Sequence, residues 1–212
     1  NQHLLWIDTS YDEKGATCVD MEGSTNPAEA RMIAQTLVNL NEQMKNKGFN
    51  ARNKHKVGVV SFYQSQCRTI RDEIKKLTKE GIKFEAIDVE INTVIRYQGK
   101  EKPIILLSLV KNNGGDLNQR FRIGRANIAR FEFINVAMSR AQNLLLIFGA
   151  RNMLENREVK LPRMDEKGFD KKLVYKNIFK FLEYQAESGN ICLAQEFANV
   201  LPKVPSKLSS KG

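Results

Sequence analysis

Two polar clusters in this sequence stand directly before apolar runs. Gln98-Gly-Lys-Glu101 precedes the run at residues 103–110, and Arg140 precedes the run at residues 144–149. Open α/β sheets bind ligands where their buried strands end. A guanidinium and an ammonium group are suited to binding phosphate oxygens. The spacing therefore predicts phosphate-binding side chains at the ends of two neighbouring strands.

Arg140 and Glu101 are the candidate catalytic residues of these clusters. A positioned arginine stabilises the charge of a phosphoryl group in transfer and contributes about 10³–10⁵ in rate. The Glu101 carboxylate can accept hydrogen bonds from ribose hydroxyls or from an ordered water near phosphates. Two simpler interpretations stay open: Arg140 as a surface arginine on an amphipathic helix, and Glu101 in an ion pair with Lys100 or Lys102.

Apolar strands alternate with amphipathic helices along the chain. The strand-like runs are residues 4–8, 56–61, 84–89, 92–95, 104–110 and 143–149, and the helical runs are 26–47, 64–80, 133–142 and 173–186. Asn26-Pro-Ala-Glu29 is typical of a helix start, with Asn as the cap and Pro at the first helical position. This alternation predicts one α/β domain with about five parallel strands and helices on both faces.

Composition favours an anionic partner. The net charge is +10 and the isoelectric point is about 9.5, so nucleic acid is the first candidate, although a basic surface that only maintains solubility explains the same charge. Residues 111–130 carry five basic residues and one acid. No run approaches the ~18 apolar residues that span a bilayer, so no membrane partner is expected.

The chain offers little for a metal site. Its three cysteines, Cys18, Cys67 and Cys192, are far apart, and it has only two histidines. This pattern predicts no metal centre and indicates a reducing compartment, the cytoplasm or, in a eukaryote, the nucleus.

Three motifs resemble those of superfamily 1 helicases of the up-frameshift type. Residues 57–66 (VGVVSFYQSQ) resemble the fourth motif, residues 93–101 (TVIRYQGKE) the fifth, and residues 133–141 (FINVAMSRA) the sixth. The helix that begins at Asn26 resembles the N-x-x-E-A helix that precedes the fourth motif there. The order and spacing match the second RecA-like domain of those enzymes, and the resemblance covers roughly residues 4–150.

The resemblance implies a RecA-like, P-loop-NTPase-type parallel sheet that lacks its own phosphate loop, since the sequence has no G-x-x-x-x-G-K-[S/T]. We expect residues 1–190 to form this domain and residues 191–212 to form a flexible tail. The implied function is the C-terminal motor domain of an ATP-dependent DNA or RNA helicase, cut from a longer polypeptide. Its partners would be single-stranded or duplex nucleic acid and the first RecA-like domain of the same polypeptide. That missing domain would bind most of the ATP and Mg²⁺.

The resemblance also implies roles for individual residues. Arg140 matches the arginine that contacts the γ-phosphate across the domain cleft, with Glu101 beside it. The expected nucleotide-binding residues are Gln98, Gly99, Lys100 and Asn135. Asn135 would brace Arg140 or a loop, and an asparagine that only lies on the helix surface is an equal alternative. Apart from the resemblance, short polar residues at strand ends can bind phosphate oxygens, and a basic loop can line the same groove. The expected nucleic-acid-binding residues are therefore Ser61, Tyr63, Thr93, Arg120, Arg122 and Arg125. Tyr63 as a core residue, and the arginines as part of a solvated basic loop, remain alternatives.

Two positions depart from the family pattern. Ile95 stands where the fifth motif has Asp, and Phe62 stands where the fourth has Pro. The loss of a polar contact at Ile95 keeps a second hypothesis open, a non-catalytic nucleic-acid or protein-binding module with the RecA-like fold. A phosphate loop encoded upstream would favour the motor.

Overall fold

The apolar runs form parallel strands in a computed structural model that describes residues 3–21, 24–114, 127–163, 167–184 and 191–200. The strands are β1 (His3–Asp8), β2 (His55–Ser61), β3 (Ile87–Thr93), β4 (Lys102–Ser108), β5 (Ala141–Gly149), β6 (Val159–Pro162), β7 (Phe169–Lys172) and β8 (Ile191–Leu193). Six of them form one sheet in the order β3-β2-β4-β5-β1-β8, and every pairing in it is parallel.

Helices cover both faces of this sheet, which confirms the predicted fold class. They are α1 (Pro27–Asn46), α2 (Gln64–Lys79), α3 (Phe131–Met138), α4 (Arg151–Leu154), α5 (Val174–Tyr184) and α6 (Ala194–Val200). Two 3₁₀ turns, Val94–Tyr97 and Asn127–Ala129, complete the described helical structure. Helices α1, α2 and α6 contribute to one buried cluster, and α3 and α5 contribute to the other.

Side-chain alternation along β4 and β5 builds these two cores. In β4, Ile104 and Leu106 belong to the α1 side, whereas Ile105 and Leu107 belong to the α3 side. All four are at most 5% exposed. Each fully buried Leu or Ile contributes about 1.5–3 kcal/mol. A strand that is buried on both faces reads as an unbroken apolar run, which is why the sequence predicted it correctly.

The start of α1 follows the sequence signal. The Asn26 side chain accepts a hydrogen bond from the Glu29 backbone N–H at 3.2 Å, and Pro27 occupies the first helical position. Gly48 lies just past the end of the helix with φ of +89°, a left-handed conformation that glycine adopts without steric cost.

The structure differs from the sequence prediction in three places. The two runs predicted at residues 84–89 and 92–95 form one strand, β3, which passes into a 3₁₀ turn. Residues 160–170, predicted as a polar connection, include the antiparallel hairpin of β6 and β7. Strand β8 pairs with β1, so the sheet continues past residue 190, where the tail was expected to begin. Residues 201–212 of that expected tail lie outside the described residues.

Three residues are too few to show a period in sequence, which is why β8 was missed. The tail prediction is therefore corrected for residues 191–200, which form β8 and α6.

Candidate functional site

Glu101 and Arg140 lie side by side where β4 and β5 begin. The strands are neighbours, Lys102 is paired with Ala141, and the Lys102 N–H donates to the Arg140 carbonyl oxygen at 3.1 Å. Each candidate residue directly precedes one of these paired residues, so the predicted juxtaposition is present. It lies at the amino edge of the parallel sheet, opposite to the carboxyl edge where open sheets usually bind ligands.

The Arg140 side chain is held by its own helix end and is half-buried. Arg140 follows α3 in a turn, not on the helix as the sequence suggested. Its Nε donates to the Val136 carbonyl oxygen at 3.1 Å, and its Nη2 donates to Ser139 Oγ at 2.7 Å. No carboxylate among the described residues lies within ion-pair distance of it. The guanidinium therefore retains donors and an unbalanced charge for an anionic ligand.

Glu101 is exposed, and its closest described polar partner is Gln142. Gln142 Nε2 lies 3.5 Å from Glu101 Oε2, a long and weak hydrogen bond. The alternative ion pair with Lys100 or Lys102 does not form. Lys100 Nζ lies 2.6 Å from Glu90 Oε1, and Lys102 Nζ lies 2.9 Å from Glu90 Oε2.

Glu90 thus forms ion pairs with both lysines that flank Glu101. Their hydrogen bonds, which outweigh a smaller opposing effect of burial, lower the pKa of Glu90 to about 2. A carboxylate with so low a pKa stays charged at neutral pH and keeps both ammonium groups in place. Lys100, which the sequence predicted to bind nucleotide, is therefore engaged by Glu90 in this conformation.

The 3₁₀ turn carries the remaining fifth-motif residues to the amino edge. Tyr97 is fully buried and donates to the Glu90 carbonyl oxygen at 3.2 Å. Gln98 and Gly99 follow in an exposed turn, where Gly99 has φ of +77°. Asn135 lies on the exposed side of α3, and no hydrogen bond among the described residues joins its side chain to Arg140.

The amino edge fits part of a nucleotide site. A half-buried guanidinium without a carboxylate partner suits phosphate oxygens, and an exposed carboxylate suits hydroxyl groups. Mg²⁺ fits less well, because the described residues contain no group of three or more His, Cys, Asp or Glu that could hold a metal ion.

The predicted nucleic-acid residues lie at the opposite, carboxyl edge. Ser61 ends β2 and is paired with Thr93, the last residue of β3. The Ser61 side chain is fully buried, and its Oγ donates to the Ser108 carbonyl oxygen at 3.2 Å. Thr93 is half-buried. Arg120, Arg122 and Arg125 lie outside the described residues.

Tyr63 lies just past β2, packed beneath a lysine. Lys111 Nζ lies 5.3 Å from the centre of the Tyr63 ring, a cation–π arrangement. The Tyr63 hydroxyl oxygen is buried and has no hydrogen-bond partner among the described residues. Burial raises the pKa of this phenol above its usual range. Tyr63 is therefore half-buried, as the core alternative expected, and its enclosed hydroxyl leaves only the ring accessible to a ligand in this conformation.

Sequence reasoning missed a buried polar network beside Tyr63. Glu29 is fully buried, and its carboxylate accepts from Thr9 Oγ1 at 2.9 Å, Ser108 Oγ at 2.6 Å and the Val110 N–H at 3.0 Å. Burial raises the pKa of Glu29 to about 7, although the hydrogen bond from Ser108 and the two others oppose this shift. A signal was present in the sequence: Glu29 stands on an otherwise apolar helix face, and Ser108 interrupts an apolar strand.

A family model described as an AAA domain matches residues 1–152. The chain belongs to this family. Together with the relatives below, the match confirms the assignment to superfamily 1 helicases of the up-frameshift type.

Curated relatives of this helicase domain are themselves named as helicases. The DNA polymerase alpha-associated DNA helicase A of Saccharomyces cerevisiae is 29% identical over 182 residues, which cover 77% of this chain and 24% of that protein. The DNA replication ATP-dependent helicase/nuclease dna2 of Schizosaccharomyces pombe is 33% identical over 103 residues, 49% of this chain and 6% of that protein. Helicase sen1 of Schizosaccharomyces pombe is 33% identical over 119 residues, which cover 56% of this chain and 6% of that protein. The chain thus spans at most about a quarter of the length of these relatives.

Within the described residues, no helix of this domain is long and apolar enough to cross a membrane.

Proposed function

We propose that this chain is the C-terminal motor domain of an ATP-dependent superfamily 1 DNA or RNA helicase. Its specific contribution is an arginine finger, Arg140, at the amino edge of the sheet. One observation carries the proposal: the Arg140 guanidinium has no carboxylate partner among the described residues, and Arg140 and Glu101 directly precede two paired strands, so a ligand between two domains could reach both. A first RecA-like domain of the same polypeptide would supply the phosphate loop and the Mg²⁺ ligands.

Bound ATP would supply the phosphoryl group that is transferred to water. Arg140 would bind the terminal phosphate, where a bidentate guanidinium stabilises the charge that develops in the transition state. Glu101 would accept hydrogen bonds from ribose hydroxyls or from an ordered water. Gln98 and Gly99 would shape the turn against the nucleotide, while Glu90 holds Lys100 and Lys102 around them.

We propose that the nucleic acid strand runs over the carboxyl edge of the same sheet. Tyr63 and Thr93 are exposed enough to contact it, and a ring such as Tyr63 can stack on a base. Ser61 would act indirectly, because its buried hydroxyl accepts from the Tyr63 N–H at 3.4 Å. Nucleotide and nucleic acid strand would thus occupy opposite edges of one rigid sheet. Domain closure around the nucleotide could therefore change the contacts that the sheet makes with the strand.

The test compares two arginines in the longer protein. Arg157 matches Arg140 closely: it is half-buried, and its Nε donates to a carbonyl oxygen four residues earlier, that of Met153, at 3.2 Å. We expect Arg140→Ala to lower strand-stimulated kcat for ATP hydrolysis by about 10³ or more, and Arg157→Ala to leave it nearly unchanged. The chain alone, which lacks a phosphate loop, should hydrolyse no ATP.

An unchanged kcat in Arg140→Ala would remove the arginine from the mechanism. Absence of strand-stimulated ATP hydrolysis in the wild-type longer protein would instead favour the second hypothesis, a non-catalytic nucleic-acid or protein-binding module, which the exposed Ile95 at the family's Asp position supports. ATP turnover by the isolated chain would contradict the assignment of the phosphate loop to another domain.

A further inference from the structure

Val110 has an unusual backbone conformation just after β4. Its φ is +72°, and it is the only described residue other than glycine with positive φ. β-branched residues almost never adopt this region, because the Cβ atom collides with the backbone. Such a conformation persists only where surrounding groups enforce it.

Two side chains from the start of α1 enforce it. The Val110 N–H donates to Glu29 Oε2 at 3.0 Å, and the Val110 carbonyl oxygen accepts from Asn26 Nδ2 at 3.1 Å. Both backbone polar groups of the strained residue are thus bound by one helix start. We call Glu29, Asn26 and Val110 the clamp.

The clamp is itself fixed by fully buried neighbours. Gln66 on α2 accepts from the Asn26 N–H at 2.8 Å and donates to the Asn26 carbonyl oxygen at 3.1 Å. The same amide group donates to Ser108 Oγ at 3.0 Å, and Ser108 in turn donates to Glu29. Every group therefore has a defined partner, as a buried polar network needs for rigidity.

The residues that follow the clamp lie at the predicted strand-binding edge, where Lys111 is 9% exposed and Asn112 is fully buried. Lys111 lies over the Tyr63 ring. The Asn112 side chain donates to the carbonyl oxygens of Thr9 and Ser10 at 2.9 and 3.2 Å, and its N–H donates to Asp20 Oδ2 at 2.8 Å. The backbone conformation of Val110 sets the direction of the chain after β4. It thus decides whether Lys111 reaches the Tyr63 ring and whether Asn112 reaches its hydrogen-bond partners.

We propose that Glu29 is a positioning residue for strand binding: it holds Val110 in the left-handed conformation and thereby places Lys111 over Tyr63. This inference rests on the proposed function, since it takes the carboxyl edge as the strand-binding edge. An acid in the first turn of a helix normally serves the helix from a solvated position. Glu29 instead has no exposed surface, and its three bonds go to two other segments of the chain, Thr9 after β1 and residues 108–110 at the end of β4.

The experiment tests whether Glu29 acts by holding the Val110 backbone or only by filling space in the core. It does so by changing Val110 itself. Glu29→Ala is introduced into two backgrounds, Val110→Ala and Val110→Gly. Both backgrounds lose most of the buried Val110 side chain, but only glycine takes positive φ without strain. Amide exchange of Asn112 and Gly114 reports the placement of the segment. Fluorescence anisotropy with labelled oligothymidylate and oligouridylate reports strand affinity.

We expect Glu29→Ala to abolish the protection of these amides in the Val110→Ala background and to leave most of it in the Val110→Gly background. In the Val110→Ala background, strand affinity should fall at least about fivefold, which corresponds to the loss of one stacking contact. In the Val110→Gly background, it should fall less than about twofold. Glu29→Gln should retain both properties, because its amide oxygen can still accept from Val110 and Ser108.

Equal losses in the two backgrounds would overturn the proposal, because Glu29 would then act only by packing. If the wild-type chain bound neither oligonucleotide, strand positioning would fall together with the proposed strand-binding edge. The exchange measurement would still show whether the clamp exists, so the two failures are distinguishable.

Discussion

The amino and carboxyl edges of this sheet are built in opposite ways. At the amino edge, Arg140 is bonded only to residues within one helical turn of itself, and Glu101 has one long contact. At the carboxyl edge, Glu29 is fully buried and binds two separate segments of the chain through three hydrogen bonds. The first edge leaves charged groups available, whereas the second satisfies them internally.

This difference indicates where a ligand must contribute and where it need not. A charged group with spare hydrogen-bonding capacity at an open edge gains most from a partner outside the chain. A buried network that is already satisfied instead fixes geometry. In our account, the amino edge therefore provides chemistry to a shared nucleotide site, and the carboxyl edge provides a rigid platform for a strand.

The carboxylates near the two edges show the same contrast in their pKa values. Hydrogen bonds from two lysines lower the pKa of Glu90 to about 2, whereas burial raises that of Glu29 to about 7. The amino edge stabilises charge in contact with water. The carboxyl edge makes charge costly and compensates with hydrogen bonds.

The largest expected effect is a difference in the free energy of unfolding between a variant at the carboxyl edge and a variant at the amino edge. Glu29→Ala leaves the Ser108 hydroxyl and the Val110 N–H buried without their acceptor, and each such group costs about 1–3 kcal/mol. We expect a loss of about 3–5 kcal/mol in the free energy of unfolding, measured with urea. Glu101→Ala, the matched control at the exposed edge, should change it by less than about 0.5 kcal/mol. Similar losses would contradict the comparison.

A second prediction uses two crowded glycines to disturb each edge separately. A Cβ at Gly58 would collide with the Tyr97 hydroxyl, and one at Gly149 would lie 2.6 Å from Leu109 Cδ1. Gly58→Ala and Gly149→Ala should each cost about 1–3 kcal/mol, as overpacking does. Gly58→Ala should lower ATP hydrolysis by displacing the turn that leads to Glu101, and Gly149→Ala should weaken the amide protection of Asn112.

If both glycine variants changed both properties equally, the edges would not be independent. Amide exchange and ATP hydrolysis, measured on the same preparations of the longer protein, decide between these outcomes.

A third prediction concerns pH, with a slope of at most about 1.4 kcal/mol per pH unit for each group. Glu29 has a raised pKa, so the folded state binds more protons between pH 4.5 and about 7, and its contribution to stability is lost as pH rises through that window. Glu90 has a lowered pKa, so its contribution is present above pH 4.5 and is lost as pH falls toward 2. Asp20 and Cys18 are the other titratable groups that act on Glu29.

Unfolding measured across pH should therefore show a slope between pH 4.5 and 7 that Glu29→Gln removes and Glu90→Gln does not. Identical pH profiles for the wild type and Glu29→Gln would show that Glu29 does not titrate differently in the folded state.

Much of the fold was predictable because its strands are buried on both faces. The apolar runs before Ser108 and Gly149 and the cap at Asn26 are local signals, and each gave the correct element. The adjacency of Glu101 and Arg140 also followed, since each precedes a strand and the strands are neighbours.

What could not be predicted depends on contacts between distant segments. The sequence marks Glu29 as an acid on an apolar helix face but does not show what it binds, because its partners Thr9, Ser108 and Val110 are 20 to 81 positions away. Arg140 precedes an apolar run, so its place at the amino edge also followed from the sequence, whereas the rule that ligands bind at carboxyl edges pointed to the opposite edge. Strand β8 is recognisable only from its pairing with β1, which three residues of sequence do not show.

The central claim is that Arg140 and Glu101 form one half of a nucleotide site at the amino edge. The most direct test is a structure of the longer protein with a non-hydrolysable ATP analogue and a single strand. We predict that the Arg140 guanidinium lies within about 3 Å of terminal phosphate oxygens and that the strand passes Tyr63 at the opposite edge. A nucleotide bound with Arg140 turned to solvent, or a strand lying across the amino edge, would contradict the account.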